Sequence, residues 1–420
     1  MLKFVAKGFR SLKNVTWEPG DLNVLIGANA AGKSNLLRAI ELMAVSAKGQ
    51  LGKHVQKAGG IEPLIWDGQA EAIDLCVMIS PQDKNRNIER DSLTYELNMS
   101  RIGGTSSFRI EKEVLGNYYK VEKGESSEPL KMIHRTRQQA KVFDEKQRAL
   151  TAPEESVPEE ESLLSLAAGP FTQNHLIPPV QAYLASWSVY HDLHVNQDAA
   201  IRQSVVAKHE KRVDPDGQNL ISVLHTLYTT DRDFKKDINL AMKAAYGDDF
   251  EELVFPPAAD QRIQLRVRWK SLKREQTAAD LSDGTLRFLF LLTVLASPSP
   301  AALVAIDEPE TGLHPAMLPI VAEYAVDASS RTQVILTTHS PQLLDAFTNV
   351  KPVTTVVKWC DGETVLEKLD GAKLDRWLEE YSLGNLFRSG ELESGLEDIS
   401  DYAKVAEPRA PYGEIPEARI

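Results

Sequence analysis

The stretch LNVLIGANAAGKSNLLRAI, residues 22–40, joins an apolar run to a helical pattern through a turn rich in glycine and alanine. The apolar run, residues 22–26, predicts a short buried strand. From Asn35 to about Ala47 the apolar residues recur at helical spacing, which predicts a helix. Between the two lies the pattern G-x-x-x-x-G-K-S, which is typical of a loop that holds nucleotide phosphates between a strand and a helix.

The chemistry of this loop follows from its residue types. The two glycines allow backbone angles that let successive N–H groups point at phosphate oxygens. Lys33 is expected to reach the β and γ phosphates, and the Ser34 hydroxyl to join a Mg²⁺ shell. The alternative is a chance match in a turn, which the strand before it, the helix after it and the complete pattern disfavour. The predicted nucleotide-binding residues are Gly27, Ala28, Asn29, Ala30, Ala31, Gly32, Lys33, Ser34 and Asn35.

A second element is LVAIDEPETGLHP, residues 303–315. Its apolar run predicts a buried strand that delivers Asp307 to the carboxyl edge of a sheet, where ligands of such sheets bind. Asp307 is expected to hold Mg²⁺ through water, and Glu308 to polarise an attacking water. A solvated strand end is the alternative, and it is disfavoured because the phosphate loop already requires a magnesium carboxylate.

Two further patterns are weak alone. LSDGT, residues 281–285, could be only a helix cap, with Ser282 capping a helix that begins near Thr285. LTTHS, residues 336–340, contains His339, and a single histidine is more often structural than catalytic. Their order and spacing around Asp307 favour a functional interpretation of both patterns.

With these residues in that order, the chain resembles ABC-type ATPases of the RecF/SMC-like branch (the OLD-like, AAA_21-type group). In this resemblance GANAAGKS stands as Walker A, LSDGT as the signature motif, LVAIDE as Walker B, ETGLHP as the D-loop region and THS as the switch histidine. The resemblance covers about residues 1–45 and 276–345 and is thin between them. It implies ATP hydrolysis with ATP and Mg²⁺ as cofactors.

The resemblance also implies a head-to-tail dimer with two ATP molecules between the protomers. The catalytic residues would be Lys33, Glu308 and His339 in one copy. The trans signature residues would be Ser282, Asp283 and Gly284 of the other copy. Asp283 departs from the usual glycine, and we expect its carboxylate to lie near phosphate and to slow closure.

The whole-chain properties narrow the class of protein. The 420 residues carry a formal net charge of −12, so no global basic field attracts nucleic acid. Two cysteines, no apolar run of membrane length and no signal-peptide pattern near the N-terminus predict a cytoplasmic protein without membrane contact. The basic stretches 134–141 and 266–274 are expected to be solvated faces, and DNA or RNA contact is the less favoured alternative.

The order of elements predicts an α/β fold. We expect a parallel P-loop sheet, an antiparallel β-lobe with strands at 72–79, 93–99 and 107–114, and an inserted, mainly helical lobe over 178–250. The expected divisions are an ATPase core from residues 1–80 and 276–370, an inserted region 81–275 with a flexible acidic loop 144–170, and a C-terminal helix and polar tail in 371–420.

Several features are excluded or left open. About 250 residues lie between the Walker A and signature motifs without a sustained heptad pattern, so no long coiled coil is expected. The residues after His339 are not expected to form a metal-binding nuclease domain, and His191 and His194 are not expected to form a zinc site. For the Q-loop Gln69 is a candidate. The candidate adenine contacts are Phe9, Arg10 and Asn14, by position only.

Three functions compete. The favoured one is a stand-alone ATPase of a bacterial phage-defence operon, forming a dimer or larger ring that gates a separate nuclease or toxin. The segment 374–393, with its Leu, Trp and Phe residues, would dock that effector or else pack on its own sheet. The alternatives are a RecF-like DNA repair ATPase that clamps DNA, and a scaffold that holds ATP without hydrolysis.

Overall fold

The structure is a computed structural model, and its elements are numbered along the chain. It describes residues 1–80, 92–117, 130–153, 156–169, 174–191, 193–258, 261–347, 350–369 and 382–390. The strands are β1 (Lys3–Phe9), β2 (Leu12–Trp17), β3 (Leu22–Ile26), β4 (Ala72–Ile79), β5 (Leu93–Arg101), β6 (Phe108–Asn117), β7 (Leu130–Thr136), β8 (Ala140–Asp144), β9 (Ala149–Thr151), β10 (Ser188–Tyr190), β11 (Val205–Val206), β12 (Phe250–Val254), β13 (Pro257–Ala258), β14 (Arg262–Ile263), β15 (Arg266–Trp269), β16 (Gln276–Thr277), β17 (Leu303–Asp307), β18 (Gln333–Thr338), β19 (Val353–Cys360) and β20 (Glu363–Lys368). The helices are α1 (Lys33–Ala47), α2 (Leu51–Lys57), α3 (Leu163–Ala167), α4 (Ile177–Ala185), α5 (Leu220–Thr230), α6 (Arg232–Tyr246), α7 (Asp283–Leu295), α8 (Leu318–Ser329), α9 (Pro341–Asp345) and α10 (Leu383–Ser389).

A six-stranded sheet carries the phosphate loop. Its order is β10-β17-β18-β3-β19-β20. The first five strands run parallel, and β20 returns antiparallel to β19. The expected parallel P-loop sheet, assembled from distant parts of the chain, is therefore confirmed. Because parallel strands end at one edge, β3, β17 and β18 bring their motifs to the same place.

Both faces of this sheet are buried. Along β3, Val24 and Ile26 belong to one apolar cluster and Leu25 to the other. The same alternation recurs along β17, where Ala305 faces the second cluster and Ile306 the first. Continuous apolar runs such as LNVLI are what a doubly covered parallel strand requires.

The antiparallel β-lobe is an eight-stranded sheet of order β2-β1-β4-β5-β6-β7-β8-β9. The three alternating runs expected as strands form β4, β5 and β6, and they pair as consecutive antiparallel neighbours. Helix α1 packs between this lobe and the P-loop sheet, since its buried residues, Leu36 among them, lie in the second cluster. The fold is the expected α/β combination of a parallel sheet and an antiparallel lobe.

The inserted lobe is less helical than its composition predicts. Helices α4, α5 and α6 lie in the expected region, but residues 191–219 hold only β11 and a short 3-10 turn, Ala200–Arg202, among those described. Short turns such as DPDG, residues 214–217, interrupt the helical pattern there. Two three-stranded sheets, β11-β14-β13 and β12-β15-β16, complete the lobe. None of the described helices forms a long coiled coil.

The acidic segment 144–170, expected as a flexible loop, is held in place where it is described. It contains β9 and α3, and the fully buried Ser162 caps α3. Arg135 donates to the main-chain oxygens of Glu161 and Pro158, each at 2.7 Å. The Glu161 carboxylate in turn accepts from the first amides of α2. Main-chain and capping bonds therefore fix a stretch whose charge suggested mobility.

The C-terminal helix expected near 372–381 lies outside the described residues. The described part of segment 374–393 forms α10, which packs on α9: the Gly384 amide donates to the Asp345 carboxylate at 2.8 Å, and Leu386 is buried. The described part therefore contacts its own chain, and the remainder of segment 374–393 lies outside the described residues. Within the described ranges, no helix combines the length and apolar character needed to cross a membrane.

Candidate nucleotide site

The phosphate loop begins where β3 ends, and two glycines shape it. Gly27 has φ 146° and Gly32 has φ 107°, values that disfavour residues with a side chain. A Cβ on Gly27 would collide with the main-chain oxygen of Val357, and one on Gly32 with the hydroxyl of Thr364. The loop therefore lies directly against the β19–β20 hairpin, and it requires glycine at both positions.

The hairpin supports the loop from behind with side chains that the sequence did not single out. Thr364 Oγ1 lies 2.9 Å from the Ala31 main-chain oxygen and 2.7 Å from Ser11 Oγ. Asn35 Nδ2 donates to the same Ser11 hydroxyl at 2.8 Å. The loop tip, residues 28–30, is exposed. The base of the loop is thus fixed while its tip remains accessible to a phosphate chain.

Lys33 is positioned to meet an anion at this loop. Its side chain is buried, and Nζ lies over the loop, donating to the main-chain oxygens of Gly27 (2.7 Å) and Ala28 (3.1 Å). It is also the first residue of α1, whose N-terminal dipole favours negative charge. This site suits a nucleoside triphosphate, because it combines a loop that requires glycine, a buried ammonium group and a helix N-terminus.

The predicted magnesium residues converge. Asp307 ends β17 and accepts hydrogen bonds from Thr337 of the neighbouring strand β18 and from Ser34. Burial alone would raise the pKa of this carboxyl, but hydrogen bonds led by that from His191 hold the pKa below its usual value. An ionised carboxylate beside a serine hydroxyl is an oxygen donor set of the kind that Mg²⁺ prefers.

His191 belongs to this site, although the sequence suggested only that it is not a zinc ligand. It follows β10, and its Nδ1 lies 3.4 Å from Asp307 Oδ2, while Nε2 lies 3.2 Å from Glu41 Oε2 on α1. Burial opposes the charged imidazole, yet hydrogen bonds to Asp307 and Glu41 raise its pKa above the ordinary value. The strand order places β10 beside β17, a proximity that has no local sequence signal.

Glu308 stands apart from the strand that precedes it. Its φ of 48° is left-handed, an arrangement that costs a residue with a side chain about 1–3 kcal/mol and that clusters at functional sites. The Glu308 amide donates to Thr337 Oγ1 at 3.0 Å. The carboxylate lies 3.2 Å from His339 Nδ1, and both side chains are partly exposed. This pair can orient and polarise a water at the edge of the sheet.

Glu310 fixes the histidine and was also missed by the sequence reasoning. Its nearly buried carboxylate accepts from the Thr338 hydroxyl and from the His339 amide at 3.2 Å. Burial raises the pKa of this carboxyl. The ETG in the quoted motif contained the residue, but only the return of β18 beside β17 shows what it contacts.

The signature loop stands at the start of α7. Ser282 caps that helix, its Oγ accepting from the Thr285 amide at 3.1 Å, as the sequence suggested. Ser282 and Asp283 are exposed, and Gly284 lies so close to Gly312 that a Cβ would come 2.7 Å from its main-chain oxygen. Asp283 forms an ion pair with the buried Arg202. The carboxylate that was expected to oppose phosphate therefore has its own counter-ion.

The candidate Q-loop and adenine residues differ in their exposure. Gln69 is exposed, and its side-chain amide donates to Asp67 at 2.9 Å in a turn before β4. Phe9 is buried in the core and offers no accessible ring. The Arg10 amide donates to the Leu64 main-chain oxygen, and Asn14 is exposed on β2. Among the three adenine candidates, Arg10 is partly exposed and Asn14 is exposed, whereas Phe9 is buried.

Three arginines of the basic stretches are paired within the chain, whereas Arg137, Lys270, Lys273 and Arg274 are exposed. Arg135 lies buried against the Glu113 carboxylate at 3.8 Å. Arg268 bridges Glu252 and Glu275, and Arg266 lies 3.5 Å from Glu275. The three paired guanidinium groups are neutralised locally, and the exposed side chains keep their positive charge at the surface.

The comparisons with known proteins agree with this geometry. The profile of the AAA_21 family, described as "AAA domain, putative AbiEii toxin, Type IV TA system", matches residues 22–345. The chain has no significant sequence match among curated proteins.

A solved SMC head shares the fold of this chain. A crystal structure of an SMC head bound to the C-terminal winged-helix domain of ScpA is 17% identical, with a TM-score of 0.54 over 89% of this chain and 99% of that one. An SMC head with an extended coiled coil, bound to the C-terminal domain of ScpA from Pyrococcus furiosus, is 16% identical, with a TM-score of 0.49 over 90% of this chain and 98% of that one. The SMC head domain of Thermotoga maritima is 13% identical, with a TM-score of 0.46 over 88% of this chain and 98% of that one.

Proposed function

The chain belongs to the AAA_21 family, and from that premise we propose that it hydrolyses ATP to ADP and phosphate in a nucleotide-sandwich dimer that gates a separate effector protein. The observation that carries the hydrolysis is the Glu308–His339 pair beside Asp307 and Lys33. The family and the fold establish an ATPase-like, nucleotide-binding chain of the ABC/SMC type; turnover, the dimer and the effector are the proposal.

In this proposal each residue has one task. Lys33 binds the β and γ phosphates, helped by the loop amides, and Ser34 and Asp307 hold Mg²⁺. The ion supplies charge neutralisation for the phosphates. Glu308 orients and polarises the attacking water, and His339, fixed by Glu310, holds the Glu308 carboxylate toward it.

The dimer is supported by the exposed signature loop. Ser282 presents a hydroxyl at the N-terminus of α7, and its recorded hydrogen bonds are to Thr285 of its own helix. A helix N-terminus with exposed polar groups suits an anion from outside the chain. In a head-to-tail pair, that anion is the γ phosphate held by Lys33 of the second copy. Binding of ATP would then shift the population toward dimer, and hydrolysis would reverse it.

The family description, "AAA domain, putative AbiEii toxin, Type IV TA system", supports a role in a toxin or defence system. An SMC head with the same fold binds a separate protein, ScpA. We therefore propose a cytoplasmic ATPase that controls a nuclease or toxin in phage defence. The formal net charge of −12 weighs against the alternative, a DNA clamp of the RecF type.

The test uses Glu308→Gln protein purified from cells that also express the adjacent gene. Native mass is measured with and without Mg-ATP, and Glu323→Gln, an exposed position on α8, is the matched control. An ATP-stabilised dimer that retains the neighbouring product supports the proposal. A dimer that retains only DNA supports the clamp instead, and a mass indifferent to ATP refutes the sandwich.

A further inference from the structure

Arg202 lies beneath the signature loop, about 80 residues earlier in the chain. It ends the 3-10 turn Ala200–Arg202, and its side chain is only 6% exposed. Its Nη2 donates to the carboxylate of Asp283, whose side chain is 64% exposed. The remaining donors reach four main-chain oxygens, those of Val195 (2.6 Å), Leu281 (2.7 Å), Ala278 (3.2 Å) and Ala279 (3.3 Å).

The Arg202 guanidinium has two kinds of partner, uncharged main-chain oxygens and one carboxylate. The main-chain oxygens satisfy its N–H groups and fix the course of the loop 278–281, but they carry no charge. Among its recorded partners only Asp283 balances the positive charge, and an unbalanced buried ion costs several kcal/mol. Arg202 and Asp283 therefore form a pair of nearly zero net charge at the place where α7 begins.

The net charge at the start of α7 determines whether the signature loop attracts or repels an approaching phosphate. An isolated Asp283 carboxylate at the first turn of α7 would repel an incoming γ phosphate and would cancel part of the helix dipole. With Arg202 beside it, the surface around Ser282 keeps its hydroxyl and its free helix N-terminus without a net negative charge. The loop can then accept an anion despite the aspartate at the usual glycine position.

We propose that Arg202 is a positioning residue of the signature loop, which holds the loop backbone and neutralises Asp283 so that the loop can receive the triphosphate bound by a second copy of this chain. The inference rests on the proposed sandwich dimer. It assigns Asp283 the role of setting affinity: removing its charge leaves Arg202 uncompensated and makes the loop more attractive to phosphate.

The experiment compares Asp283→Asn, Arg202→Met and the double variant in the Glu308→Gln background. Asparagine keeps an oxygen for Arg202 and removes only the charge. The ATP concentration giving half-maximal dimer is measured by mass photometry at low and high salt. We expect Asp283→Asn to lower it about two- to fivefold at low salt and less at high salt, the size of a partly exposed charge effect. Asp280→Asn, a charge change in the same loop outside the recorded contacts of Arg202, is the matched control and should shift it less.

Arg202→Met should raise the half-maximal concentration, and the double variant should lie between Arg202→Met and the parent. If Arg202 only supports the fold, Arg202→Met and the double variant will behave alike, and the inference is wrong. An unchanged or raised concentration for Asp283→Asn overturns it even if Arg202→Met fails to fold. A parent that does not dimerise with Mg-ATP refutes the proposed function and this inference together, whereas a dimerising parent with a silent Asp283→Asn refutes only the inference.

Discussion

The two halves of the proposed ATP site differ in how they are completed. The phosphate half is closed within one chain: Lys33, Asp307 and Glu308 each have partners on neighbouring strands or loops of the same sheet. The signature half has its support underneath, from Arg202, while Ser282 and Asp283 remain exposed. The phosphate half is suited to bind a nucleotide within one chain, and the signature half is suited to contact a nucleotide bound by another copy. A head-to-tail pair needs this asymmetry.

If that comparison holds, damage to the phosphate half should remove binding itself. Lys33→Ala removes the ammonium that faces the β and γ phosphates, and we expect kcat/KM for ATP to fall about 1,000-fold, with nucleotide binding lost as well. Binding of a fluorescent ATP analogue and steady-state hydrolysis measure the two effects. Lys53→Ala, at an exposed position on α2, is the control and should leave both unchanged. If Lys33→Ala still binds the analogue, the nucleotide binds somewhere other than this loop.

A second change separates binding from chemistry within the same half. His339→Ala removes the ring that lies 3.2 Å from the Glu308 carboxylate. Because that carboxylate loses its orientation but keeps its charge, we expect kcat to fall about 10- to 100-fold while ATP affinity is retained. Single-turnover hydrolysis at saturating ATP gives the rate. Exposed His209→Ala serves as control, and a loss of affinity equal to the loss of rate would contradict the assigned role.

The contrast also appears in what the sequence could predict. Gly27 to Asn35, Asp307 and Glu308 lie in contiguous patterns because strand, loop and helix must follow each other directly at a phosphate site. The predicted strands β3 and β4 match their observed bounds for the same local reason. The turn between β19 and β20 follows from Asp361 and Gly362, both with positive φ.

The supporting residues could not be predicted in this way. His191, Arg202 and Thr364 reach the site from other strands or turns, through contacts that span between 81 and 353 residues of sequence. No spacing rule encodes which strand lies beside β17 or that a hairpin from near the C-terminus lies behind the phosphate loop. Local patterns therefore identify the residues that we propose to contact a ligand, whereas topology identifies the residues that position them.

The signature half should show the opposite behaviour from the phosphate half. Aspartate and asparagine both cap helices as well as serine, so Ser282→Asp and Ser282→Asn should melt like the parent. Only aspartate adds a charge opposite the second copy's γ phosphate. In the Glu308→Gln background we expect it to raise the ATP concentration for dimerisation about tenfold or more, and asparagine much less.

Light scattering at a series of ATP concentrations measures the dimer. Binding of ATP to dilute monomer, followed in parallel, should be unaffected by either variant. Equal effects of the two substitutions on dimerisation would mean that Ser282 serves only as a helix cap.

The smallest expected effect tests how His191 ties the phosphate half to α1. The pKa of His191 is raised above its ordinary 6.5, so its contribution to stability is complete below pH 6.5 and is lost as pH rises through the folded pKa. The pKa of Glu41 is lowered from 4.5, so its contribution is complete above pH 4.5 and is lost as pH falls through the folded pKa. Asp307, whose pKa is also lowered, behaves like Glu41.

The three groups therefore stabilise the fold most between pH 4.5 and 6.5. In EDTA and without nucleotide, the difference in Tm between the parent and His191→Gln should be larger at pH 6 than at pH 8, by on the order of 2 °C. Exposed His209→Gln is the matched control. A His191→Gln difference that is equal at both pH values would mean that the imidazole packs between α1 and β17 without sharing charge with either carboxylate, and that the phosphate half is held by shape alone.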